Sequence, residues 1–145
     1  MKRRTGFLAL LATLLGGCAG TPPSTLGLHN QRLAPCPDTP NCVCSQYDSE
    51  KHAIAPFVYE GERQAAYDKL LAILGAGKRV RIISKQDNYI HAEFTSLVFR
   101  FVDDVEFYFP TDQTIVHVRS ASRIGHSDFG VNRKRVEHLR ELFRK

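Results

Sequence analysis

From Glu62 to Leu74 the apolar residues Tyr67, Leu70, Leu71 and Leu74 recur at i, i+3, i+4 and i+7, the spacing of one helix face. Gly75 and Gly77 follow and predict its stop. Beyond them the period changes to two. Val80 and Ile82 share a face in the first segment, and Ile90, Ala92 and Phe94 in the second. The third carries Leu97, Phe99, Phe101, Val105, Phe107 and Phe109, and the fourth Val116 and Val118. Polar turns at Lys85–Asp87 and Pro110–Gln113 predict antiparallel hairpins between them. A last helix is expected from about Arg133 to Phe143, with Val136, Leu139, Leu142 and Phe143 inward. Two helices and an antiparallel sheet of about four strands, each with one apolar face, predict an α+β two-layer sandwich.

Matching apolar faces in the last hairpin sets Phe107 opposite Val116 and Val105 opposite Val118, with Pro110–Gln113 as the loop. Asp104 then faces Arg119 and Asp103 faces Ser120. Asp103 shares its face with Val105 and Phe107, where a bare carboxylate would cost several kcal/mol. Hydroxyls or an arginine are expected to bond it.

The other end of the chain reads as an address. Lys2, Arg3 and Arg4 precede an apolar run from Phe7 to Leu15, broken only by Thr13. Nine residues at about 1.5 Å each cross only half a hydrocarbon core, so this is a secretory h-region and not a spanning helix. The run ends in Leu15-Gly16-Gly17-Cys18, which resembles the lipobox of bacterial lipoproteins. That resemblance implies cleavage after Gly17 and acylation of Cys18, whose two or three chains make a stable membrane anchor. Ala19 after the cysteine implies sorting to an outer membrane, facing the periplasm, where the organism has one. The expected organisation is a signal peptide over 1–17, a tether of small and turn residues over 18–32, and one domain over 33–145.

Charge changes meaning on this division. The chain of 145 residues carries 20 Lys and Arg against 15 Asp and Glu, a net of +5. Without Lys2, Arg3 and Arg4 the balance is 17 against 15, so whole-chain basicity says little about partners. The surplus is segregated: residues 119–145 hold eight cations against three acids, residues 18–118 nine against twelve. Asn132 is the expected N-cap of the last helix, with Val131 and Val136 as a hydrophobic staple. Arg133, Lys134 and Arg135 then crowd the positive end of the helix dipole, each unfavourable by about 0.3–1 kcal/mol, and call for an anion.

Two sources of that anion stay open. Asp103, Asp104 and Asp128 are the internal partners. The other source is a phosphate, carboxylate or lipid headgroup held by Arg119, Ser122, Arg123, Asn132, Arg133 and Arg135. Nucleic acid is not expected, because no aromatic stripe accompanies the basic residues.

Of the cysteines, Cys36 and Cys42 enclose a tight Pro-containing loop and are expected as a structural disulfide, leaving Cys44. Alternatives are a zinc site of Cys36, Cys42, Cys44 and His52, and a catalytic Cys44 with a histidine base. The C-x5-C-x-C spacing is not a usual zinc knuckle, and neither a metal nor another cofactor is expected. His126-Ser127-Asp128 has the residue types of a serine triad, but sequence neighbours point apart and Gly-x-Ser-x-Gly is absent. Ser120, Ser122 and Ser127 have no identifiable base, and no catalytic residue is assigned.

Two stretches carry a family resemblance: residues 33–46, Leu-Ala-Pro-Cys-Pro-Asp-Thr-Pro-Asn-Cys-Val-Cys-Ser-Gln, and Asp103-Asp104-Val-Glu-Phe107 with Arg119–Arg133. Both resemble signatures of the domain of unknown function 1499. The resemblance implies a domain identity and an envelope or lumenal setting, but no activity. The sequence reading is therefore a lipid-anchored, non-catalytic envelope module that binds an anionic ligand or a protein partner. The alternative is a periplasmic enzyme built on Arg119, Arg123, Asp103 and Asp104, its reaction unspecified.

Overall fold

A computed structural model describes residues 20–145. The leader, the lipobox, Cys18 and Ala19 lie outside the described residues. The chain runs β1 (Cys42–Cys44), β2 (Phe57–Val58), α1 (Arg63–Ala76), β3 (Val80–Gln86), β4 (Tyr89–Thr95), β5 (Val102–Tyr108), β6 (Ile115–Ser122) and α2 (Val131–Arg144). The antiparallel sheet has the order β1-β6-β5-β4-β3, with β2 also on β6. β1 pairs with Arg119–Ala121 and β2 with Ile115–Val116, so the two short strands share one edge of β6 end to end. Three or two residues are too few for a period of two to declare itself, and neither is among the four strands expected from periodicity.

The α+β fold with an antiparallel sheet and two helices is as expected. Both helices cover one face. Tyr67, Leu70 and Leu74 of α1 and Val136, Leu139 and Phe143 of α2 are buried against Ile90, Ala92, Val105, Phe107, Val116 and Val118. Phe57, on the short β2, packs its ring against Phe107 and Phe143. Gly75 lies inside α1; the helix stops at Gly77, whose N–H bonds to the Leu74 carbonyl.

Three local expectations are corrected. The β5–β6 register is shifted by two residues: Phe107 pairs with Val118, Val105 with Ser120, Glu106 with Arg119, Asp104 with Ala121 and Asp103 with Ser122. A shift of two leaves every side chain on its face, so hydrophobic matching cannot select between these registers. Val116 instead faces Phe57 across the β2 pairing, and Phe109 is buried at the start of a longer loop. The expected third strand was also too long. Leu97, Val98, Phe99 and Phe101 are exposed in the β4–β5 connection, because an alternating apolar pattern does not itself supply a pairing partner. Finally, α2 begins two residues earlier than expected. Its N-cap is Gly130 in the left-handed region, Val131 is exposed and no staple forms, and Asn132 is buried inside the first turn.

The second face of the sheet carries the N-terminal segment. The Gly27 N–H donates to Glu106 Oε1, Tyr108 donates to Gln31, and Arg32 donates to the Gln46 carbonyl. Residues 27–32, inside the expected tether, are thus hydrogen-bonded to the domain. Leu33 and Cys44 are buried with Tyr89 and Tyr108 in a smaller apolar cluster.

Candidate functional site

Charged residues of the sheet are buried on this same face, Glu106 against Gly27 of that segment. Alternate positions of β4, β5 and β6 place His91, Glu93, Asp104, Glu106 and Arg119 on the face away from the helices, and Arg123, just past the end of β6, joins them through Asp104 and Glu93. Glu93 and Asp104 are directly opposed across β4 and β5, an arrangement that repels unless a cation intervenes. Arg123 intervenes. Its Nε and Nη2 donate to Asp104 at 2.8 and 2.7 Å, and Nη2 also reaches Glu93 at 2.5 Å. Arg81 completes Glu93 from β3 at 2.6 Å, and His91 Nε2 lies 2.7 Å from Asp104. Burial pushes both carboxyls up, but hydrogen bonds from Arg81 and Arg123 to Glu93, and from Arg123 and His91 to Asp104, outweigh it. Both therefore titrate below the ordinary carboxylate range. The Arg123 guanidinium is held above its usual value, chiefly by Asp104.

A second set adjoins this chain of ion pairs. Glu106, fully buried, accepts from the Tyr89 hydroxyl at 2.8 Å, from Gly27 N–H at 2.8 Å, and from Arg119 Nη1 at 3.3 Å. Burial and the adjacent Glu106 carboxylate hold the Tyr89 phenol well above its usual range. Among the described residues, Arg119 Nε is buried without a hydrogen-bond partner.

On the helix face a separate cluster forms around Asn132. Its Oδ1 accepts from Ser120 Oγ and Arg135 Nη1; its Nδ2 faces the Asn41 carbonyl, Ser122 Oγ and Asp128 Oδ2. Arg135 pairs with Asp103, meeting the expectation that an arginine or hydroxyl supplies this carboxylate. Its guanidinium also lies 5.0 Å from the Phe94 ring centroid. Arg133 points elsewhere, to the carbonyls of Ala53 and Lys51. Asp128 neutralises no arginine. Its two oxygens accept the Gly130 and Asn132 N–H groups at 2.9 and 2.7 Å, capping α2. Burial raises this carboxyl, and those backbone donors more than offset the rise, leaving it low.

The six anion-site candidates are therefore split among three places. Arg119 and Arg123 lie on one face of the sheet. Ser122, Asn132 and Arg135 lie on the other, and Arg133 is directed at the 51–53 loop. Arg119, Arg123 and Arg135 are each paired with an acid, so an incoming anion would compete with a carboxylate already in place. Asp103 and Asp104 are on opposite faces of β5, which separates the acids of the enzyme alternative by the thickness of the sheet.

Cys36 and Cys42 are joined by a disulfide, with Cα atoms 5.6 Å apart. Cys44 is free and buried, and burial raises its thiol pKa, the opposite of what a nucleophile requires. His52 directs Nδ1 at the Cys42 carbonyl, 3.0 Å away. No group of three or more His, Cys, Asp and Glu is placed to hold a metal among the described residues. A Ser–His contact the sequence did not reveal joins Ser45 Oγ to His117 Nδ1 at 3.1 Å, while Val118 N–H donates to the same hydroxyl. Burial lowers the His117 pKa, and Tyr108 stacks on its ring.

At one end of the sheet the β4–β5 connection and the 124–131 loop enclose a cleft of about 340 Å³. Phe99, Phe101, Ile124, Phe129 and Val131 supply its apolar walls, with Asp103 and Ser122 also lining it. No helix among the described residues is long and apolar enough to cross a membrane. A search of curated proteins finds no match to the chain. The sequence does match the family described as protein of unknown function (DUF1499) over residues 32–143, nearly the whole folded domain, and the chain belongs to that family.

Proposed function

We propose that the chain is an exported bacterial lipoprotein, anchored through Cys18 at the outer membrane and facing the periplasm, whose domain is a non-catalytic binding module. The observation that carries this reading is the Cys36–Cys42 disulfide, which belongs to an oxidising compartment, in a chain that opens with an h-region ending in Leu15-Gly16-Gly17-Cys18. The non-catalytic part is supported by the pairing of Arg119, Arg123 and Arg135 with Glu106, Asp104 and Asp103, and by the inert setting of Cys44. Charged residues held this way order a fold more readily than they turn over a substrate. The test is maturation of Cys18→Ser in cells. The variant should accumulate as an unacylated, uncleaved precursor, whereas wild type yields a lipid-modified product; normal processing of the variant overturns the proposal.

A further inference from the structure

The apolar end of the domain has no partner inside the fold. Leu97, Val98, Phe99 and Phe129 are 68%, 75%, 70% and 89% exposed, and Phe101 and Val131 are exposed beside them. Single exposed apolar residues are ordinary, but these come from two loops distant in sequence that line one cleft. The Phe99 and Phe101 rings stack with centroids 5.4 Å apart. Phe129 has φ 54°, a left-handed conformation that is unfavourable for a bulky side chain. Its loop is held by bonds from Phe129 N–H to Ser127 and from Gly130 N–H to Asp128, which present the ring to solvent.

The chain enters the domain at this same end. A Cβ on Gly20 would stand 3.0 Å from Ile124 Cγ2 and 3.0 Å from Arg123 Cβ, so Gly20 rests against a residue of the cleft wall. Cys18 precedes Gly20 by two residues, a reach of at most about 7 Å. Three basic residues adjoin this end. Arg100 lies between the two stacked phenylalanines, Arg79 is bonded to the Thr95 carbonyl, and Lys134 is one turn along α2 from Val131. None of the three is in an ion pair among the described residues. The two acids nearest the cleft are engaged, Asp103 with Arg135 and Asp128 with backbone N–H groups.

From these observations we propose that the Phe99–Phe101–Phe129 end of the domain docks on the surface of the bilayer that holds the Cys18 anchor. The aromatic side chains enter the headgroup boundary, and Arg79, Arg100 and Lys134 face anionic phosphates. The proposal rests on the lipoprotein reading above and adds an orientation to it. A tether this short leaves the adjoining surface against the membrane whenever the anchor is inserted, so docking carries little additional ordering cost.

The chain has no tryptophan, which makes an introduced one a clean reporter. Full-length Phe99→Trp, Phe129→Trp and, far from the cleft, Val58→Trp are matured in cells and purified. Each is reconstituted into phosphatidylethanolamine–phosphatidylglycerol vesicles with or without brominated acyl chains, and the N-terminal peptide is weighed by mass spectrometry. With Cys18 acylated, tryptophan at 99 and 129 should emit further to the blue and be quenched severalfold more by the brominated lipid than tryptophan at 58. Acylated protein with equal aqueous quenching at all three positions overturns the docking proposal and leaves the lipoprotein reading intact. Shielding at 99 and 129 that grows with protein concentration but ignores the bromines assigns the patch to a second copy and also overturns it. An unmodified Cys18 removes the anchor, and the orientation falls together with the reading it rests on.

Discussion

Arg123→Ala removes the cation that separates two opposed carboxylates. The Arg123 side chain is 4% exposed, Asp104 1% and Glu93 9%, so solvent screens the three groups little. After truncation Asp104 keeps only His91, and Glu93 keeps only Arg81, whose side chain is 74% exposed. Breaking a buried ion pair by removing one partner costs about 3–5 kcal/mol, and here one partner serves two acids. For a domain of this size that corresponds to a fall in Tm of about 10–20 °C. The dependence on pH follows from the lowered carboxyls of Glu93 and Asp104. A group whose folded pKa is depressed contributes stability above its unfolded pKa, about 4, and loses it as pH falls through the folded value. In the variant the same carboxyls keep their burial but lose the Arg123 donors, so their folded pKa rises and their ionisation contributes less stability. The gap between wild type and Arg123→Ala should therefore be small near pH 3 and widen toward pH 7. Urea unfolding followed by circular dichroism across that range measures it. A gap under about 1 kcal/mol at pH 7, or one that does not change with pH, refutes the assignment of Arg123 as the buried bridge. Arg123→Lys should restore only part of the loss, since a single ammonium cannot reproduce the three planar hydrogen bonds.

Tyr89→Phe leaves the ring in place and deletes one donor to the fully buried Glu106, so stability should fall by about 1.5–3 kcal/mol in the same urea assay. Asp128→Ala removes the acceptor of the Gly130 and Asn132 N–H groups and should cost about 1–2 kcal/mol. Its carboxyl is also depressed, so this contribution should be present above about pH 4 and fade below it, and an equal loss at acid and neutral pH would contradict the cap. With Cys18 acylated as proposed, alkylation without reductant should find Cys44 unreactive when folded and the sole free thiol when unfolded. Reducing the Cys36–Cys42 bond should cost about 2 kcal/mol by loop entropy, and labelling of three cysteines without reductant would exclude the disulfide.

The helices and the four longer strands were legible because each carries one apolar face long enough to show its period. The second face was not. Tyr89, His91 and Glu93 alternate with Ile90, Ala92 and Phe94, and in a single sequence such polar alternation reads as a solvated face. What reverses that reading is the cover supplied by residues 27–34, a stretch of turn and mixed residues with no periodicity of its own. Glu93, Glu106, His91 and Tyr89 were missed as site residues for this reason. One clue was available: Glu93, Asp104 and Glu106 sit within alternating strands that also place Arg119 and Arg123 on the same parity, a charge balance a purely solvated face does not need. The exposed aromatic end misled in the opposite direction. Leu97, Phe99 and Phe101 have strand periodicity, and only the missing neighbour shows that they lie outside the sheet.

The basic start of α2 posed the sharpest question in the sequence, and its answer bears on what the domain can bind. A helix N-terminus followed by Arg133, Lys134 and Arg135 requires negative charge, and Asp128 brings a carboxylate onto the first backbone N–H groups from only a few residues away. Arg135 pairs with Asp103, and Arg133 is directed away to the carbonyls of residues 51 and 53, so neither guanidinium is left aimed at a ligand beside the helix end. A free phosphate or carboxylate would have to displace Asp128, which is tethered at high effective concentration and already aligned. Internal anions thus occupy the place where the sequence suggested a ligand. Lys134, Arg79 and Arg100, on or next to the elements that carry the exposed aromatic end, are exposed and in no ion pair among the described residues. The membrane docking proposed above would present them with charge and apolar matter together, which a small soluble anion does not.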